Sequence, residues 1–130
     1  MTPPIRLLVI DDEVALTRSL KLNLEDTGRY EVCVVNDSRQ AIATALRVQP
    51  DVILLDLMMP NMDGGDVSRA LQENRTLSRT PVILLTALVR KSEENELQLG
   101  GRVRKGIGKP VTLADLDAAV NEVLEAVEIH

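Results

Sequence analysis

At 130 residues and 14.3 kDa, the chain is long enough to fold as one domain around its own core. Its 45% hydrophobic and 27% charged residues fit a soluble globular protein, while a net charge of −5 and a pI near 4.9 argue against nucleic-acid binding by the chain itself. The single cysteine excludes a disulfide framework, no apolar run approaches the roughly 20 residues of a membrane span, and "MTPPIR" lacks a signal-peptide core, so the expected setting is cytoplasmic.

The first apolar run, Ile5–Ile10, does not alternate with polar residues, as expected of a parallel strand buried on both faces. It ends in three acids, Asp11, Asp12 and Glu13. Leu16, Leu20 and Leu24 then recur every four residues, and Gly28 supplies a stop for that helix. Tyr30 is the only aromatic residue, so the core is expected to be aliphatic. Glu31–Val35 is a mixed strand expected near a sheet edge, with Cys33 read as a buried, inert thiol. Ser38 is placed to cap a second helix through Ala41, Ile42, Ala45 and Leu46, which ends before Pro50.

A second unalternating strand, Val52–Leu55, runs into Asp56 and the turn "LMMPNMDG". Val67, Ala70 and Leu71 mark a third helix, and Val82–Leu85 is a fourth strand followed by Thr86. Ser92–Leu99 reads as a short fourth helix closed by Gly100–Gly101. Val103–Ile107 is a weaker fifth strand, interrupted by Arg104, Lys105 and Gly106. Thr112 with Asp115 resembles a capping box for the last helix, whose stripe is Leu113, Leu116, Val120, Val123, Leu124 and Val127.

Strand and helix thus alternate along the chain, which implies an α/β fold: a doubly wound, five-stranded parallel sheet with helices on both faces. Right-handed crossovers leave few topologies, and the expected strand order is the flavodoxin-like 2-1-3-4-5. Ligands of such sheets bind beyond the carboxyl ends of the strands, where the order reverses between strands 1 and 3. Asp11, Asp12 and Asp56 end those two strands, and Thr86 and Lys109 end the next two. Singly, each residue could cap a helix or turn or face solvent; jointly, they make that edge the expected working face. Carboxylates about 5 Å apart at an effective dielectric near 20 repel by about 3 kcal/mol per pair. A divalent cation offsets this, and an all-oxygen site suits Mg²⁺.

Four stretches, "LLVIDDE", "DVILLDLMMPNMDG", "TPVILLTA" and "GKP", occur in this order with matching intervals. Together they closely resemble the response-regulator receiver domain of two-component signalling, over residues 5 to about 127. The resemblance implies one receiver domain across residues 1–130. It makes Asp56 the phosphoacceptor, Asp12 a direct Mg²⁺ ligand, Asp11 a ligand mainly through water, and the Met58 backbone carbonyl a further ligand. Lys109 would bridge to the phosphoryl group, Thr86 would move to bind it, and Pro110 would follow a cis peptide bond. The implied partner is a sensor histidine kinase or phosphotransfer protein, since the only histidine here is the terminal His130. Such a domain catalyses its own phosphorylation and dephosphorylation rather than turnover of an external substrate.

One position departs from the family pattern. Receivers usually carry an aromatic three residues before the strand-5 lysine, and here that place holds Gly106. The activation change is therefore expected to run through the backbone from Thr86 to Lys91 and the fourth predicted helix. Arg90, Lys91, Arg102, Arg104 and Lys105 form a basic cluster, either solvated or a contact patch for an acidic partner or a second copy. Self-association would use the face of the fourth predicted helix, fifth strand and last helix. The alternative functions are a non-phosphorylated interaction module, which Gly106 keeps open, and an aspartyl-phosphate phosphatase of haloacid-dehalogenase type. The second fits poorly, because "DDEV" is not that family's DxDx[TV]. The chain reads either as a single-domain regulator or as a receiver from a longer protein.

Overall fold

The unalternating apolar runs become the interior of one sheet. In the computed structural model, residues 3–56, 64–86, 103–108 and 112–129 are described. They form β1 (Ile5–Ile10), α1 (Val14–Asp26), β2 (Tyr30–Val35), a 3₁₀ turn (Ser38–Gln40), α2 (Ala41–Val48) and β3 (Val52–Asp56). Then come α3 (Gly64–Glu73), β4 (Val82–Thr86), β5 (Val103–Gly108) and α4 (Leu113–Ile129). All strand pairs are parallel, in the order β2-β1-β3-β4-β5 expected from the sequence. The predicted helix at Ser92–Leu99, the turn after Asp56, the basic residues Arg90, Lys91 and Arg102, and Lys109 with Pro110 lie outside the described residues.

Period-2 alternation of side chains splits the apolar residues between two cores. On one face, Leu7, Val9, Leu54 and Leu85 pack against Leu20 and Leu24 of α1 and Leu116, Val120 and Val123 of α4. On the other, Leu8, Ile10, Ile53 and Leu84 meet Ala41 and Ala45 of α2 and Val67 and Leu71 of α3. Each strand residue of β1, β3 and β4 in these sets is completely buried, which is why those strands show no polar alternation.

Helix boundaries follow local chemistry. α1 closes at Thr27, and Gly28 then takes the left-handed conformation (φ 77°) that the predicted stop requires. α2 ends as Gln49 turns left-handed (φ 52°) ahead of Pro50. At α4 the Thr112 hydroxyl accepts the Asp115 N–H at 3.0 Å, the expected half of a capping box.

Three expectations need correction. Ser38 does not cap α2; the Asp37 carboxylate accepts the Arg39 N–H at 3.0 Å, starting the 3₁₀ turn, and Ser38 is buried within that turn. Leu113, the first residue of α4, is exposed rather than part of the buried stripe, because it precedes the turn at which the helix meets the sheet. Cys33 is only half-buried, since β2 is an edge strand and the thiol lines an open groove with Arg6, Lys21 and Arg47.

Side chains of α1 occupy the free edge of β2 at Val32. Lys21 Nζ donates to the Val32 carbonyl at 2.7 Å, and Glu25 Oε2 accepts the Val32 N–H at 3.0 Å. An i,i+4 ion pair thereby occupies backbone groups that a foreign strand would otherwise pair with. The Val32 N–H also holds the Glu25 carboxyl below its ordinary pKa, with Lys21 adding to the effect.

A fourth correction concerns the core, which is not wholly aliphatic. Tyr30 is buried at the start of β2, and its hydroxyl donates to Asp117 of α4, which Arg29 also pairs with. Burial, reinforced by the Asp117 carboxylate, raises the phenol well above its ordinary pKa. Because the folded state then holds the phenol proton more tightly than the unfolded chain, this contribution is full below pH about 10 and falls as pH rises further. Tyr30→Phe should cost about 1–2 kcal/mol at neutral pH, since a hydrogen bond to a charged acceptor is lost while Arg29 still partners Asp117. It should also flatten the alkaline decline. Urea melts at pH 7 and above pH 10 check both; unchanged melts would make the Tyr30–Asp117 contact energetically idle.

Candidate functional site

The β1/β3 register places the site. Ile10 lies opposite Leu55, so the next residues, Asp11 and Asp56, emerge side by side at the carboxyl ends of neighbouring strands. Asp56 is the last residue of β3, the strand end at which the sequence places it. Asp11 and Asp56 are buried, at 1% and 2% exposure, and Asp12 is half-buried. One carboxylate oxygen from each of Asp11, Asp12 and Asp56 lies within 4.8 Å of the others. The adjacent acids Asp11 and Asp12 and the sequence-distant Asp56 are thus brought together as expected.

Burying this much like charge opposes folding. At 4.8 Å and an effective dielectric near 20, one pair of carboxylates repels by about 3 kcal/mol. The donor set is all oxygen and all anionic, which fits a hard divalent cation.

The remaining predicted residues are placed by backbone alone or not at all. Thr86 ends β4 and lies opposite Gly108 of β5, one position beyond the Asp56–Leu85 pair. Gly106 lies opposite Leu84. Lys109 directly follows Gly108 in sequence, and both it and Met58 lie outside the described residues.

Two residues near the acids escaped the sequence reading. The Asn36 side chain, just after β2, donates from Nδ2 to the Asp11 carbonyl at 2.8 Å and to Thr17 Oγ1 at 2.9 Å. Thr17 is buried in the first turns of α1 and passes its own hydroxyl hydrogen to the Val14 carbonyl at 3.1 Å. Asp11 is held at its other groups too: its N–H donates to the Val35 carbonyl at 3.0 Å, and its Oδ1 accepts the Glu13 N–H at 2.9 Å. An asparagine directly after a strand at the working edge was the available signal, and it is indistinguishable from an ordinary turn residue.

The profile of the response regulator receiver domain matches residues 7–121. The chain is 33% identical over 126 residues to the alkaline phosphatase synthesis transcriptional regulatory protein PhoP of Bacillus subtilis, covering 95% of this chain and 50% of that protein. With the response regulator PleD of Caulobacter vibrioides it shares 47% identity over 83 residues, 64% of this chain and 18% of that one. The chain therefore spans half or less of the length of these relatives. Among solved structures, chemotaxis protein CheY4 of Vibrio cholerae superposes with a TM-score of 0.80 at 28% identity, covering 93% of this chain and 99% of that one. A CheY-like receiver domain protein from Methanospirillum hungatei gives 0.82 at 25% identity, covering 97% and 98%. Matching profile, strand order and strand-end acids lead to one conclusion: this chain belongs to the response regulator receiver domain family of two-component signalling.

Proposed function

We propose that residues 1–130 act as one cytoplasmic, phosphorylation-controlled switch, with Asp56 as the phosphoacceptor. The observation that carries this reading is the clustering of Asp11, Asp12 and Asp56 at the β1 and β3 ends, with Asp56 buried at 2% exposure. The donor is a phosphohistidine of a sensor histidine kinase or phosphotransfer protein. An Asp56 oxygen forms the new O–P bond as the donor's N–P bond breaks, and the electron pair stays on the imidazole nitrogen. Hydrolysis of the acyl phosphate by water restores the carboxylate and releases inorganic phosphate.

Asp11, Asp12, Asp56 and the Met58 carbonyl would hold Mg²⁺. When bound, the cation neutralises charge on the phosphoryl oxygens and on the acids themselves. The chain's own part is to place the acceptor: β3 carries Asp56 to its buried position at the strand end, and β1 sets Asp11 and Asp12 beside it. Thr86 would hydrogen-bond to the phosphoryl group from the end of β4, and Lys109 would pair with another of its oxygens. The consequence is a change in affinity for partners, including a second copy through the face of the predicted helix at Ser92–Leu99, β5 and α4. No transcriptional or other output is assigned, because the relatives named for such outputs extend well beyond the matched region.

Intact mass after incubation with Mg²⁺ and acetyl phosphate or a phosphorylated kinase should show one added phosphoryl group. No addition under either donor would leave the non-phosphorylated interaction module, which Gly106 keeps open, as the surviving reading. Lys109→Ala should keep the fold, since it removes a charged group and no apolar side chain, yet should reduce phosphoryl uptake or its effect on partner binding by about tenfold. Normal labelling with normal partner binding would make Lys109 a surface residue only.

A further inference from the structure

We infer that Asn36 is a positioning residue for metal binding, acting through the peptide plane between Asp11 and Asp12; this rests on the reading of Asp12 as a metal ligand. The Asp11 carbonyl belongs to the planar unit whose other end is the Asp12 nitrogen, so whatever fixes that oxygen fixes the plane from which Asp12 departs. Asn36 Nδ2 donates to this oxygen at 2.8 Å. A carbonyl can only accept, so the amide nitrogen must face it, and the same NH₂ has a second hydrogen for Thr17 Oγ1 at 2.9 Å. Thr17 in turn donates to the Val14 carbonyl at 3.1 Å. The hydrogen bonds therefore run outward from Asn36, one ending on the Asp11 carbonyl and the other passing through Thr17 to the Val14 carbonyl of α1.

This bridge ties three independent elements at the acid-bearing turn. β1 delivers Asp11, whose N–H is already fixed on Val35 at the end of β2. α1 begins two residues after Asp12, and Thr17 is 1% exposed within it, so its hydroxyl is a rigid anchor. Asp12 itself is half-buried, and the main chain that carries it sets the direction from which its side chain departs. Groups that orient a metal ligand from outside typically change metal affinity by about 10–100-fold when removed. A loop staple without this role would affect stability alone.

The test uses Mn²⁺, a spectroscopically visible stand-in for Mg²⁺, titrated into the full chain and followed by electron paramagnetic resonance, with no phosphoryl donor present. Asn36 is exposed, so Asn36→Ala should leave the protein folded by circular dichroism. It should nevertheless bind Mn²⁺ about tenfold more weakly. Thr17→Val should weaken binding in the same direction, Thr17→Ser should restore the parent affinity, and the Asn36→Ala/Thr17→Val double variant should fall no further than Asn36→Ala alone. Parent-like affinity in Asn36→Ala, or a Thr17→Val variant indistinguishable from parent, would overturn the bridge. So would additive losses in the double variant. If the parent itself does not bind Mn²⁺, the metal reading falls, and this inference with it; if the parent binds and the variants match it, only the inference falls.

Discussion

Asp56→Asn is expected to abolish phosphoryl gain completely while making the metal-free protein more stable. The two effects share one cause. Asparagine keeps the size of the side chain but removes the anionic oxygen that would form the O–P bond, so no mass increase should follow incubation with donor and Mg²⁺. It also removes one of three carboxylates whose oxygens lie within 4.8 Å, two of them on buried residues. Pairwise repulsion of about 3 kcal/mol at an effective dielectric near 20 is offset in part by solvent at half-exposed Asp12 and by the hydrogen bonds that the carboxylates accept. The net gain should be about 1–2 kcal/mol, a rise in melting temperature of roughly 3–8 °C without metal. A variant that still gains a phosphoryl group would disprove the acceptor assignment, unless peptide mapping moved the label to Thr86 or Asp11. A variant that loses labelling and also stability would mean that Asp56 supports the fold through its other contacts more than it strains it.

That trade between function and stability explains which parts of the molecule were readable in advance. The sheet was legible because burial on both faces leaves a strand no choice of polarity. Leu7–Ile10, Val52–Leu55 and Val82–Leu85 are all nearly or completely buried, so four unbroken apolar residues announce each strand. The acids were legible for the opposite reason: a carboxylate directly after such a run has no packing explanation. β2 was harder, because an edge strand alternates imperfectly and its partners come from elsewhere in the fold. Nothing local to Val32 shows that Lys21 and Glu25 reach its backbone, or that Tyr30 meets Asp117 of α4. Ser38 was misread because serine and aspartate are both good caps, and which neighbour wins depends on where the preceding strand lets the chain turn. Asn36 was invisible on the same ground, since its donors act on a carbonyl and a hydroxyl fixed only by tertiary structure.

Asp12→Ala is expected to slow phosphoryl uptake by about 100-fold or more, matching the effect of chelating Mg²⁺ from the parent. Asp12 is the most exposed of the three acids, so its carboxylate can exchange water for a cation at small desolvation cost. A ligand lost from a site that supplies several kcal/mol of charge stabilisation accounts for a loss of that size, at about 1.4 kcal/mol per tenfold in rate. Stability should report the same event independently of labelling. For the parent, saturation to about 100 times the dissociation constant should add about 2.7 kcal/mol to the unfolding free energy, because cation binds the folded triad and not the unfolded chain. Asp12→Ala should lose most of that increment and should be somewhat more stable than the parent without metal, one like charge having gone. Thermal melts with and without Mg²⁺, beside intact-mass time courses, separate the outcomes. A variant that retains both the Mg²⁺-dependent melting shift and the parent labelling rate would exclude Asp12 from the metal site. A variant slow in labelling but with an undiminished shift would place the cation on Asp11 and Asp56 and leave Asp12 acting on the phosphoryl group alone.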